Sequence, residues 1–244
     1  MKIYRGVTTG YNPAFIISNE QRNKLIAEDH NNSKIIKNML QGRNIRKWYY
    51  NESEENLIFT RRGTDMEKFP FIKKHLYGFY DNLKPKTPED STKGRKPGNY
   101  KWFEILDNTA YYREFEKSEK IIWGLTADKW AYTLDTEQHY LPSNAYILTS
   151  ETIPIRFILG LLNSKLLRYY FGFIGVMTAG GAYTLKASTI EALPIAIGTK
   201  QQQKEIALKV ENILNAKATN KQTDVSSSEH EIDCLVYNLY GLSE

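Results

Sequence analysis

Residues 153–197 read IPIRFILGLLNSKLLRYYFGF, then IGVMTAGGAYTLKAST, then IEALPIAI. In the first piece Ile155, Ile158, Leu162, Leu166 and Tyr169 recur at helical spacing, with Phe157 and Leu161 beside them. That predicts one continuous helix with a wide apolar face, capped by Thr152 and with Pro154 in its first turn. A helix apolar nearly all round belongs in a core. The Gly/Ala/Thr-rich loop that follows carries Thr178, Tyr183 and Lys186, and no acid occurs from Thr152 to Ile190. A core helix that presents a polar, acid-free loop suggests a surface aimed at something anionic.

Charge elsewhere points the same way. The net charge of the 244 residues is +5, but after Lys204 three basic residues meet seven acidic ones, so residues 1–204 carry +9 and residues 205–244 carry −4. A basic body with an acidic tail is a hint of a polyanionic partner. From Asn31 to Asn51 there is no acid, while Lys34, Lys37, Arg43, Arg46 and Lys47 lead into Trp48-Tyr49-Tyr50. Cations interleaved with aromatics suit phosphate neutralisation and packing on sugars or bases. They equally describe a solvated basic face beside a core strand. A second basic stretch, KPKTPEDSTKGRKPGNYKWFEI, holds Lys93, Arg95, Lys96 and Lys101 and reads as a long exposed loop anchored by Tyr100 and Trp102.

The single cysteine, Cys234, excludes an intrachain disulfide framework and a multi-cysteine zinc site; it reads as a buried, inert thiol, and the chain as cytoplasmic. The apolar run from Ile153 contains Arg156, Asn163, Ser164 and Lys165, which argues against a membrane span. Strands are expected at the N-terminus, at NLIFTRRG, at Ile121-Ile122-Trp123, at Trp130-Ala131-Tyr132 and at Ala145–Leu148, with a helix over 69–83. Two amphipathic helices close the chain. The first opens on a Thr199/Gln202 capping box; the second is expected to be capped by Ser228 with Glu231 and stopped by Gly241. The resulting architecture is mixed α/β (α+β, with a mixed sheet) over residues 1–198, followed by a helical hairpin over residues 199–244 that packs on it or on a missing partner domain.

Catalytic signatures are scarce. Asn12-Pro13-Ala14-Phe15 approximates the Asn/Asp-Pro-Pro-Tyr/Phe motif of DNA amino-methyltransferases, but alanine replaces the second proline and no Gly-rich loop follows a strand to hold a methyl donor. A turn leading into a strand is the better reading. No metal-binding or phosphate-loop motif is present.

Separated motifs agree with one family. They are Gly6, Thr9, Gly10, Asn12, Ala14 and Phe15; Ile35-Ile36-Lys37, Leu40 and Gly42-Arg43-Asn44-Ile45 with Tyr49; and Leu57-Ile58, Pro70 and Leu76. Then come Trp102-Phe103-Glu104, Phe115-Glu116-Lys117, Lys120–Trp123, Leu162-Asn163-Ser164-Lys165, Leu193-Pro194-Ile195 and Ile232–Leu242. In their order and spacing the chain resembles the TaqI-like C-terminal specificity domain of adenine-specific DNA methyltransferases, found in type II and type IIG restriction-modification enzymes and related phage-defence methyltransferases. The resemblance implies a target-recognition domain that reads double-stranded DNA. Catalysis and S-adenosylmethionine then belong to a preceding N-terminal methyltransferase domain, and this chain by itself is not an enzyme. A type I-like specificity-subunit fragment and a protein-interaction module without DNA binding are the alternatives. The expected DNA contacts are Arg43, Arg46, Lys47, Lys93, Arg95, Lys96, Lys101, Thr178, Tyr183 and Lys186.

Overall fold

The computed structural model describes residues 1–87, 92–107, 110–127, 129–178 and 180–243. Part of the expected basic loop (88–91) and Ala179 therefore lie outside the described residues. The first half runs β1 (Lys2–Arg5), α1 (Asn12–Phe15), β2 (Ile16–Ser18), α2 (Asn19–Glu28), β3 (Ile36–Asn38), β4 (Ile45–Arg46), β5 (Tyr49–Tyr50), β6 (Glu55–Ile58), α3 (Pro70–Tyr77) and α4 (Tyr80–Leu83). The second half runs β7 (Lys120–Gly124), β8 (Thr126–Ala127), β9 (Thr133–Asp135), β10 (Ala145–Thr149), α5 (Ile155–Asn163), α6 (Lys165–Ile174), β11 (Val176–Met177), β12 (Tyr183–Thr184), α7 (Ala187–Glu191), α8 (Lys200–Thr219) and α9 (Ser226–Leu239). Every ladder between these strands is antiparallel. The mixture of helices and sheets is the expected one, but the sheets of these strands are antiparallel and not mixed.

Two compact units form. The first comprises Met1–Gly6, Gln41–Glu52 and Arg113–Glu244; the second comprises Val7–Leu40 and Ser53–Tyr112. The chain thus crosses between units several times, and the terminal helices belong to the first.

The first unit is built on a four-stranded sheet in the order β1-β10-β7-β9. Ile121, Trp123, Leu134, Tyr146 and Leu148 from its strands pack with Phe157, Ile158, Leu161 and Leu162 of α5. Ile206, Val210 and Ile213 of α8, and Ile232 and Val236 of α9, cover the same core. The Thr199/Gln202 capping box is formed. By contrast, α9 begins at Ser226 with Val225 at its N-cap, so Ser228 lies within the helix. Asp224 explains the shift, since its carboxylate accepts the Ser226 amide at 2.9 Å. Cys234 is half-buried beside His230, not sealed in the core. Gly160 sits where α5 meets α8: a Cβ there would lie 2.7 Å from Ile206 Cγ2 and 3.0 Å from Val210 Cγ2. We expect Gly160→Ala to cost a net ~1–2 kcal/mol in urea unfolding, because overpacking outweighs the helix-propensity gain of alanine.

The expected single helix is in fact two. It breaks at Asn163-Ser164, because both side chains turn back onto backbone. The Asn163 amide accepts from Tyr132 N (3.2 Å) and donates to Tyr132 O (3.0 Å). Ser164 Oγ donates to Leu161 O and caps α6 by accepting from Leu167 N. Thr152 does not cap α5; Pro154 occupies that position. The same asparagine explains why Trp130-Ala131-Tyr132 is not a strand. Buried Tyr132 peptide groups are satisfied by Asn163, and by Trp48 N at 3.1 Å, in place of a ladder.

In the second unit β2, β6 and β3 form a three-stranded sheet against which α2 packs, and α3 packs on α1 and α2. The helical spacing over 69–83 becomes two helices, α3 and α4, separated at Gly78-Phe79. Asn12–Phe15 forms a single helical turn leading into β2, with Ala14 and Phe15 fully buried. A buried Phe15 cannot stack on an extrahelical base, so this is the structural turn and not a methyltransferase motif.

Candidate nucleic-acid interface

In the first unit a cleft of about 730 Å³ opens between the segment 42–47, the end of β7 with β8, and α6. Gly42 and Gly124 make it: a Cβ on Gly42 would meet Gly124 Cα at 3.3 Å, so glycines let the two backbones touch. From Ile45 the chain turns through a hairpin in which Ile45 faces Tyr50 and Arg46 faces Tyr49. Its two-residue tip is Lys47-Trp48, with Trp48 at φ 73°, an uncommon conformation for a bulky residue. Packing holds it there. The Trp48 indole is buried and its Nε1 donates to Glu229 of α9, which also pairs with Lys47 at 2.8 Å. The terminal helix thereby fixes a strained tip that displays Arg46.

The described lining carries Arg43, Arg46, Lys47, Lys129 and Arg168, and no carboxylate. Arg46 donates to Arg43 O (2.6 Å) and Ile45 O (2.8 Å), which folds the segment on itself. Arg168 donates from Nε to the Tyr183 hydroxyl at 3.0 Å and lies over the Tyr183 ring. That orients the guanidinium while its terminal amino groups make no hydrogen bond or ion pair among the described residues. Such a fork suits bidentate acceptance by phosphate or guanine.

Of the sequence-predicted contacts, Arg43, Arg46 and Lys47 meet in this cleft, and Tyr183 joins them through Arg168. Lys47 is partly spent on Glu229. Thr178 is exposed at the tip of the β11–β12 hairpin, where its Oγ1 accepts Ala182 N. Lys186 is exposed at the N-cap of α7, outside the cleft. Sequence reading missed Lys129 and Arg168. Arg168 falls within an apolar helical run and nothing in its spacing distinguishes it.

Lys93, Lys96 and Lys101 are exposed on the second unit. Arg95, read as a DNA contact, is not one. It is 3% exposed, and its guanidinium donates to the carbonyls of Leu83 (2.8 Å), Thr9 (2.9 Å), Glu104 (2.7 Å) and Trp102 (2.8 Å). Burial lowers its pKa to about 10. Arg62 plays a similar part, donating to Asn99, Ile105 and Leu106 carbonyls. The described part of the basic loop is therefore held by Arg95 from within and by Arg62 from outside it.

Two of the family motifs are tied to the last helix in the first unit. Asp233 accepts the Lys165 amide at 2.8 Å, tying the Leu-Asn-Ser-Lys turn to α9. The Tyr240 hydroxyl donates to Pro194 O and accepts Ala196 N at 3.0 Å, tying Leu193-Pro194-Ile195 to the chain's end. Residues 37–195 match the family model of the TaqI-like C-terminal specificity domain. The chain belongs to this family. The specificity domain is similar in fold to the type IIL restriction-modification enzyme MmeI, solved in complex with DNA, at TM-score 0.73 and 14% identity over 100% of the chain. It is also similar to the type IIG restriction endonuclease BpuSI, at TM-score 0.50 and 12% identity over 98% of the chain. The specificity domain spans 33% of the MmeI chain and 30% of the BpuSI chain. No curated protein matches the sequence. Among the described residues no cluster of His, Cys, Asp and Glu could hold a metal ion, and no helix is long and apolar enough to cross a membrane.

Proposed function

We propose that this specificity domain is the DNA target-recognition module of a restriction-modification enzyme, and that the parent is an adenine-N6 DNA methyltransferase. The observation that carries the reading is the cleft: Arg43, Arg46, Lys129 and Arg168 converge on one surface whose described lining holds no carboxylate. Cations gathered without acids suit the phosphate backbone, and a guanidinium held by a tyrosine suits a fixed acceptor on a base edge or phosphate. That MmeI, similar in fold, was solved in complex with DNA supports DNA as the ligand. Methyl transfer and S-adenosylmethionine are assigned to a separate N-terminal domain, with this chain supplying recognition in the cytoplasm.

Fluorescence anisotropy with random-sequence duplex across a salt series tests the reading. Wild-type affinity is expected to fall steeply with salt. Arg43→Ala with Arg168→Ala is expected to lower the log–log slope by about 2, since each phosphate contact contributes about 0.9. Binding without salt dependence, or an unchanged slope in the double variant, would remove the cleft from the interface.

A further inference from the structure

Helix α6 buries Leu167 and Phe171, as an amphipathic helix should, but its outer face is not polar. Tyr169 is 69% exposed and Phe173 70%, their rings in edge contact at 5.1 Å, with Tyr170 and Ile174 exposed beside them. The chain then enters β11, where Val176 is 57% and Met177 51% exposed. A run of large apolar side chains on one surface marks an interaction site.

What covers this ridge is argued from its surroundings. Arg168, which lines the cleft, immediately precedes Tyr169 on α6. Met177 pairs with Tyr183 across β11–β12, and Tyr183 holds Arg168. β12 in turn pairs with β8, which also lines the cleft. The ridge and the cleft are thus linked through Arg168 and Tyr183. The ridge segment itself is acid-free: residues 152–190 contain Lys165, Arg168 and Lys186 and no Asp or Glu, although Lys165 pairs with Asp233 of α9. An aromatic and aliphatic ridge on an acid-free segment, next to the cleft's Arg168, complements a polyanion with apolar sugar and base faces.

We infer that Tyr169, Phe173 and Met177 form an apolar wedge that packs against the sugar–base surface of duplex DNA beside the phosphates held by the cleft. The inference rests on the proposed DNA-binding function. Aromatic and aliphatic side chains that lie on or between base steps contribute affinity without releasing counterions. The wedge and the cations therefore have separable signatures.

The test compares the full chain with Tyr169→Ser/Phe173→Ser in duplex binding over a salt series, with thermal unfolding as the fold control and sedimentation for the oligomeric state. The double variant is expected to bind about tenfold to a hundredfold more weakly with an unchanged salt slope. Tyr169→Phe, which keeps the ring, is expected to bind more tightly than Tyr169→Ser. Steep wild-type binding that the double variant reproduces in full would overturn the wedge and leave the proposed function standing. A wild-type dimer that the variant dissolves, with duplex affinity unchanged, would assign the ridge to a second copy and overturn it as well. A wild type with no salt-dependent binding would overturn both.

Discussion

Arg95→Ala is expected to destabilise the second unit by about 4 kcal/mol or more, a loss in the upper tail for single substitutions. Four carbonyls would lose this donor: Leu83, Trp102 and Glu104, and Thr9, which keeps the Leu106 amide. Each buried acceptor left unmade costs about 1–3 kcal/mol, and water entering the site recovers part of that. Arg95→Lys should rescue little, because an ammonium is a point charge and cannot span four carbonyls arranged around a planar fork. Urea unfolding combined with amide exchange measures this directly. Loss of protection confined to Val7–Leu40 and Ser53–Tyr112 is the expected result. An alanine variant as stable as wild type would show that the guanidinium is not what orders the loop. Any loss of DNA binding in this variant would report folding and not a lost phosphate contact.

Lys120→Met should cost the first unit about 3–5 kcal/mol, the penalty for leaving a buried charge without its partner. Lys120 and Asp135 are both 0% exposed, with Nζ 2.5 Å from Oδ2. Lys120 also donates to Phe115 O at 2.8 Å, and Asp135 Oδ1 lies 2.9 Å from His139 Nδ1. Burial by itself would push the Asp135 carboxyl up. The His139 hydrogen bond and the Lys120 charge outweigh it and hold the group below its usual value. A carboxylate whose pKa is depressed on folding contributes stability above its unfolded pKa and loses it as pH falls through the folded value. In Lys120→Met the carboxylate is stranded while ionised, so the deficit relative to wild type should be largest near neutral pH and shrink in acid. Lys120→Met with Asp135→Leu removes both charges and should recover part of the loss, the Glu137 and His139 amides losing their acceptor. Denaturant midpoints at pH 7 and below pH 4 decide it; a deficit independent of pH would point to packing in place of charge.

Much of the fold was legible because its signals are local. The Thr199/Gln202 box, the stripes of α8 and α9, and strands β7 and β10 each depend on residues a few positions apart, so spacing and capping chemistry determined them. The break at Asn163-Ser164 was not legible as such. Those residues stop a helix only because Asn163 finds the peptide groups of Tyr132, 31 residues away in sequence. Seen alone, Leu162-Asn163-Ser164-Lys165 continues the helical stripe.

The site divides the same way. The sequence by itself determined that Arg43, Arg46 and Lys47 form an acid-free run beside aromatics, and the order of its motifs determined the family. Only the tertiary structure decided which cations face solvent. Lys129 and Arg168, distant in sequence, line the cleft with Arg43 and Arg46, whereas Arg95 is buried on carbonyls as far away as Thr9, a separation of 86 residues. A guanidinium carries the same charge in either setting. What separates a phosphate contact from a structural strut is the number of carbonyls the fold gathers around it, and that is a property of long-range packing that no local pattern contains.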